Sequence, residues 1–152
     1  MRKEKFEVAA ADPRGPEAAE LIKALSAELA RRYDYMEDGS GGFRPEHALG
    51  PRVAFVIGRL GGVPVACGAI RPLGKDAAEL KRVYVKDEFR GRGYSKVVVK
   101  ELERLAKERG YDIMRLETGV RQPEAISLYQ RLGYHRIPNY GEYRDKSYNG
   151  RA

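Results

Sequence analysis

Residues 86–96, KDEFRGRGYSK, crowd cationic side chains around two glycines and run straight into a segment with helical periodicity. Upstream, LKRVYV (80–85) is rich in β-branched and apolar residues and reads as a strand. Downstream, Val98, Leu102, Leu105 and Ala106 share one helical face, and Gly110 supplies a C-terminal stop. A strand therefore passes through a glycine-kinked turn into a helix that begins near Tyr94. The unpaired amides of the helix's first turn emerge at the glycines, and with the local dipole and the guanidinium groups of Arg90 and Arg92 they make an anion site. Gly91 and Gly93 let the backbone approach a bulky phosphate with no Cβ in the way, so a pyrophosphate fits. Taken alone, the six residues from Arg90 read more simply as a surface turn with solvated arginines.

Two nucleotide-binding patterns are missing from this stretch. A Walker loop needs four residues between its first glycine and Gly-Lys-Ser/Thr, and GRGYSK has Lys96 where a dinucleotide fingerprint carries its third glycine. The chain also lacks the repeated βαβ units of a doubly wound sheet. These departures argue against an NTPase and against a nicotinamide-dependent dehydrogenase.

The surrounding elements follow from hydrophobic period. Ala18, Leu21, Ile22, Leu25 and Leu29 recur at helical spacing between Pro16 and Arg32, giving an amphipathic helix that needs a flat partner. YDYMEDGSGGFRPEHALGP (33–51) is punctuated by glycine and proline and reads as a long surface loop, a class that often carries function. RVAFVIGRL and VPVACGAIRPL are β-rich runs joined by Gly61-Gly62, an antiparallel hairpin signal, and AELKRVYV extends the meander. After the central helix, DIMRLETG reads as a strand and PEAISLYQRLG as a helix opened by Pro123. The tail YHRIPNYGEYRDKSYNGRA alternates aromatics but holds two breakers, so only short strands are expected there. The order helix, three strands, helix, strand, helix, tail predicts one domain over 1–152. Its class is α/β (α+β): a mixed, mostly antiparallel central sheet flanked by helices, with a βαβ crossover through the central helix.

At 152 residues the chain is long enough to bury a core without a metal or disulfide. No apolar run approaches the roughly 20 residues that cross a bilayer, and MRKEKFEVAAADP lacks the apolar centre of a signal peptide, so a cytoplasmic location and no membrane partner are expected. Cys67 is the lone cysteine and reads as a small core residue, while His47 and His135 lie far apart, so no metal site is expected. The net charge of +7 favours an anionic partner: nucleic acid, acidic lipid or a phosphorylated cofactor.

Taken with its flanks, the turn resembles the GNAT superfamily of acyl-CoA-dependent N-acetyltransferases. Their Arg/Gln-x-x-Gly-x-Gly/Ala signature matches Arg90, Gly91, Arg92, Gly93, Tyr94 and Ser95, with serine in the last small-residue slot. The similarity runs from ELKRVYV through RLETGVRQPEAISLYQRLGY, and the order of elements ahead of it agrees, so it covers nearly the whole chain. It implies a GNAT-like fold in which the turn holds the pyrophosphate of the cosubstrate acetyl-CoA, mainly through the amides of residues 92–95. It also implies that backbone near Val83, Tyr84 and Val85 meets the acetyl and pantetheine groups where the fourth strand splays from the fifth. Gln122 stands where relatives often carry an asparagine that contacts the pantetheine arm.

The activity so implied is acetyl transfer to a primary amine, by direct attack in a ternary complex. A lysine-like amine with pKa near 10.4 is neutral in only about one molecule in two thousand at pH 7, so the site must take a proton, stabilise an oxyanion and serve a leaving thiolate. By resemblance, Tyr129 of SLYQRLGY serves the thiolate, though among Ile126, Leu128 and Leu132 it also reads as a core aromatic. Glu79 takes the place of a glutamate that acts through water, and Glu117 is a second carboxylate. Either also reads as a surface charge or an ion pair with Lys81, Arg82 or Arg115. Tyr33, Phe43, Tyr140 and Tyr143 fall around the acceptor end, and Arg71 is available for an acceptor carboxylate, with a small-molecule amine as the expected partner. The tail has no clear apolar final strand, which leaves the substrate wall incomplete or supplied by the second subunit of a homodimer.

A competing reading starts from the central helix, where Lys96, Lys100, Arg104 and Lys107 line one cationic face able to track phosphates. Glu101, Glu103 and Glu108 interrupt that face, and Arg104 with Glu108 and Glu103 with Lys107 can pair at four residues. With no nucleic-acid motif in the chain, a solvated face is the simpler account, and a CoA-binding sensor without turnover is the other alternative.

Overall fold

In a computed structural model the protein is described over residues 4–33, 52–118, 123–137 and 146–151. The chain order is β1 (Phe6–Ala10), α1 (Pro16–Tyr33), β2 (Ala54–Leu60), β3 (Val63–Leu73), β4 (Ala77–Val85), a 3₁₀ turn (Asp87–Phe89), α2 (Tyr94–Glu108), β5 (Ile113–Thr118), α3 (Pro123–Arg131), β6 (His135–Ile137) and β7 (Lys146–Arg151). The strands form one sheet in the order β1-β2-β3-β4-β5-β7-β6. Only β4 and β5 run parallel; every other neighbouring pair is antiparallel, as the period reading of a mixed, mostly antiparallel sheet requires.

Alternation along the central strands sends side chains to two helical layers. Phe55 and Ile57 of β2, with Cys67 and Ala69 of β3, meet Ala18, Leu21 and Leu25 of α1. On the other face Val56, Val65, Ala66 and Ile70 meet Val98, Leu102 and Ala106 of α2, and Tyr129 of α3 belongs to that same cluster. Both faces are covered, so β2 is buried along nearly its whole length and β3 through its middle, from Val65 to Ile70.

Two strands depart from the sequence expectation. β1 precedes the first helix, where no strand was expected; FEVAA is only five residues long and alternates half-buried Phe6 and Val8 with exposed Glu7 on a sheet edge. β7 inserts between β5 and β6, pairing Leu116 with Tyr148 and Arg136 with Tyr148 on its two sides. KSYNGR has no apolar stripe, so its place comes from backbone pairing on both edges rather than from side-chain pattern. The sheet is therefore continued by the chain's own tail at residues 146–151.

The feature that positions the site is the short contact between β4 and β5. They pair at Ala77 with Ile113, Ala78 with Met114 and Glu79 with Arg115, and then part, while β4 continues to Val85 beside β3. Beyond its last rung with β5, β4 carries a bulge against β3: three steps from Lys81 to Tyr84 oppose two steps from Ala69 to Cys67, and Arg82 takes a left-handed φ of 59°. Such a bulge bends the strand and breaks the ladder locally, here beside the opening. Opposite it, Gly68 lets α2 lie close to the sheet, since a Cβ there would come within 2.8 Å of Leu102 Cδ1 and of Val98 Cγ1.

Gly68→Ala is expected to destabilise the fold by about 1–3 kcal/mol, because β-branched Val98 cannot turn away cheaply and α2 must shift as a body. Chemical denaturation of the variant beside wild type checks this; a wild-type midpoint and slope would show that α2 has room to give.

Candidate functional site

The turn after β4 is built by backbone conformation. Gly91 and Gly93 have φ of 79° and 80°, left-handed values that L side chains resist, and no atom lies within 4 Å of a Cβ built on either. Their glycines are therefore needed for the bend, and they leave its outer surface open. The amides of Phe89 and Arg90 bond back to Lys86 and Asp87, and Val97 donates to Gly93 as α2 begins. Among the described residues no acceptor meets the amides of residues 91–96, and Gly93 caps the helix with no side chain of its own. A helix start with that many free donors has the electrostatics that favour an anion.

The side chains of the motif divide the work differently from the sequence reading. Arg92 is exposed, its guanidinium carbon 5.4 Å from the Phe89 ring centroid. Arg90 is turned inward and held by chain groups: its Nε donates to the Val85 carbonyl at 2.9 Å, and its Nη2 lies 2.7 Å from one Glu28 carboxylate oxygen and 2.9 Å from the other. Tyr94 stacks on Phe6 of β1 with centroids 4.0 Å apart and planes 10° from parallel. Gly58 makes room for that Phe6 ring, since its Cβ would stand 2.5 Å from Phe6 Cζ.

Beside the turn lies a cavity of about 540 Å³. Val83, Tyr84 and Val85 of β4 form one wall, Gly91, Gly93, Ser95 and Lys96 the rim, Leu25 and Glu28 of α1 a second wall, and Leu128, Tyr129, Arg131 and Leu132 of α3 and its last turn a third. The cavity thus brings together Tyr129, the β4 residues and the turn, all singled out from sequence, and adds Leu25, Glu28 and Arg131, which were not. Tyr129 is buried at 6% exposure, and burial raises its phenol above the ordinary value, so the hydroxyl stays protonated. Among the described residues that hydroxyl has no hydrogen-bond partner. The ring is fixed from behind: Tyr134 packs edge-on at 5.5 Å, its amide donates to the Tyr129 carbonyl at 2.9 Å, and its hydroxyl donates to Glu103 of α2 at 3.0 Å. Burial raises the Glu103 carboxyl, with the Tyr134 bond opposing.

Glu79 is buried at the last paired rung of β4 and β5, away from the cavity lining. Arg71, expected toward an acceptor carboxylate, instead donates from Nε to Glu79 Oε1 at 2.7 Å, with Lys81 Nζ at 3.7 Å from the same oxygen. Glu117 lies in β5 opposite Ser147, but its side chain is outside the described residues, as is that of Tyr33. Phe43, Gln122, Tyr140 and Tyr143 also lie outside them. Cys67 is fully buried, donates to the Arg82 carbonyl at 3.3 Å, and burial pushes its thiol up to about 12, which suits a core residue and no nucleophile.

On the exposed face of α2, Arg104 pairs with Glu101 and, at 2.8 Å, with Glu108, so that cation is already matched within the helix. Among the described residues no three metal-ligating side chains converge, and no helix is long and apolar enough to cross a membrane.

Residues 19–134 match the Acetyltransferase (GNAT) family. Among curated proteins, the chain is 32% identical over 124 residues to the mouse protein named "Probable N-acetyltransferase family 8 member 5", and 31% identical over 120 residues to rat N-acetyltransferase family 8 member 2. Those alignments take in 82% and 79% of this chain and 50% of each relative, so the chain spans about half the length of the curated relatives it matches. Among solved structures, the PaiA N-acetyltransferase of Thermoplasma acidophilum in complex with coenzyme A superposes with a TM-score of 0.75 at 18% identity, over 97% of this chain and 99% of that one. A GNAT-family acetyltransferase of Staphylococcus aureus gives a TM-score of 0.81 at 14% identity, over 97% and 99%. With its strand–turn–helix anion site, its parted strands and a family match over most of its length, this chain belongs to the GNAT acetyltransferase family.

Proposed function

We propose that the protein is an acyl-CoA-dependent N-acetyltransferase that moves an acetyl group from acetyl-CoA to the primary amine of a small molecule by direct attack in a ternary complex. The observation that carries the reading is one cavity bounded by the turn, by β4 where it leaves β5, and by a buried tyrosine, with the turn's amides and the tyrosine hydroxyl unpartnered among the described residues. When bound, acetyl-CoA supplies a thioester whose carbonyl carbon forms the new C–N bond as its C–S bond breaks. The amides of residues 91–95 and Arg92 hold the pyrophosphate, and β4 at Val83 to Val85, beyond its last rung with β5, holds the pantetheine arm and donates to the carbonyl oxygen. One ammonium proton leaves through bridging water to Glu79, which lies off the cavity lining and is oriented by Arg71 and Lys81. Tyr129 gives its proton to the departing sulfur and regains one through water from the nitrogen as the amide forms. The protein acts in the cytoplasm with no metal.

Gly93→Asp tests the pyrophosphate assignment by placing a negative charge at the helix start, with Gly93→Asn, which carries the same left-handed backbone strain without the charge, as its control. The carboxylate repels an incoming phosphate, so acetyl-CoA affinity is expected to fall by about tenfold or more relative to Gly93→Asn in calorimetric titration. Wild-type affinity in a folded variant would place the nucleotide elsewhere.

Tyr129→Phe keeps the ring and its contact with Tyr134 but removes the hydroxyl. Single-turnover transfer is expected to slow by about 10²-fold or more with acetyl-CoA affinity largely preserved, the pattern of a lost transition-state interaction. Since burial raises this phenol, its donor form persists past the ordinary value of about 10, and the wild-type rate should show no alkaline fall from Tyr129 below that pH. A phenylalanine variant as fast as wild type at every pH would make Tyr129 a packing residue.

A further inference from the structure

Arg90 opens the glycine motif, yet its guanidinium does not point into open solvent. Beyond Val85 and Glu28, Nη1 lies 3.4 Å from Asp87 Oδ1, and the guanidinium carbon lies 5.5 Å from the Tyr84 ring centroid. The three hydrogen-bonding groups belong to three pieces of chain: the last residue of β4, the 3₁₀ turn, and α1, which is 62 positions away in sequence. A planar fork can serve all three at once, which a lysine ammonium on a flexible stem cannot. Two other acids tie α1 down, Glu17 to Arg59 at 2.8 Å and Glu20 to Lys86 at 3.3 Å, but both are more exposed than Glu28, whose side chain is 18% exposed, and neither lines the cavity. Glu28 alone among them carries α1 to the anion turn.

We propose that Glu28 is a positioning residue for the cofactor turn: through Arg90 it locks α1, the end of β4 and the turn into one rigid corner, and Arg90 is a rivet rather than a phosphate ligand. The pairing also cancels the Arg90 charge locally, so attraction for the anion comes from the amides, Arg92 and Lys96. This inference rests on the acetyl-CoA reading above.

Calorimetric titration of acetyl-CoA into wild type, Glu28→Ala, Arg90→Ala, the double variant and Arg90→Lys tests it, with each protein first shown to unfold cooperatively. Each alanine variant is expected to bind about tenfold more weakly, and the double variant no more weakly than the poorer single one, since both changes remove the same interaction. Arg90→Lys keeps the charge but loses the fork, and is expected not to recover wild-type affinity. If Glu28→Ala does not fold, Glu28→Gln takes its place, with a smaller loss expected because its carbonyl still accepts from Arg90. Unchanged or tighter binding by the Glu28 variant overturns the clamp, as do additive losses in the double variant or full affinity in Arg90→Lys. Wild type that fails to bind acetyl-CoA overturns the acetyl-CoA reading and the clamp together, whereas wild-type binding that the variants retain overturns the clamp alone.

Discussion

The site depends on two parallel strands that hydrogen-bond for only three residues each. β4 and β5 are held together from Ala77 to Glu79 and pair no further among the described residues, so the sheet opens beside β4. An interior edge of this kind costs unpaired backbone groups unless something else occupies it. The bulge at Arg82 sharpens the divergence, and its left-handed backbone is strain that a functional edge commonly carries. Everything else in the site is placed relative to that gap: α2 starts from the turn at its β4 side, and α3 follows β5 at the other.

Packing explains why the gap stays open. α2 is pressed against the sheet through the missing side chain of Gly68, and its buried Val98, Leu102 and Ala106 fix the height of its first turn over β3. Glu103, on the same helix, reaches Tyr134 and so holds the end of α3 behind Tyr129. One helix thereby sets the positions of both the anion-binding amides and the phenol. On the opposite face α1 is tied to the sheet by Glu17 and Glu20 and to the turn by Glu28, so the cavity has rigid walls on three sides.

Features carried by local pattern were legible in the sequence. The turn is so because glycines at fixed spacing between a strand and a helix can do little else, and the hairpin at Gly61-Gly62 formed as its left-handed pair of residues requires. Tyr129 belongs to the core cluster, as its neighbours on the helix suggested, and it also lines the cavity. What the sequence hid has little local signal. β1 is five residues on an edge, and β7 is polar in sequence and paired through its backbone on both sides. The Glu28–Arg90 pair joins residues too distant in sequence for any motif to connect. The Arg71–Glu79 pair was within reach, because a tight turn at Gly74 sets Leu73 opposite Ala77 and therefore Arg71 opposite Glu79 on the neighbouring strand.

The most direct measurement is a crystal structure of the protein grown with coenzyme A. The account predicts pyrophosphate oxygens within about 3.2 Å of the amides of residues 91–95. It also predicts the pantetheine arm running between β4 and β5 past Val83 to Val85, and the sulfur beside the Tyr129 hydroxyl. A nucleotide bound over the same turn with its pantetheine arm outside the gap, or bound away from the turn altogether, would contradict it.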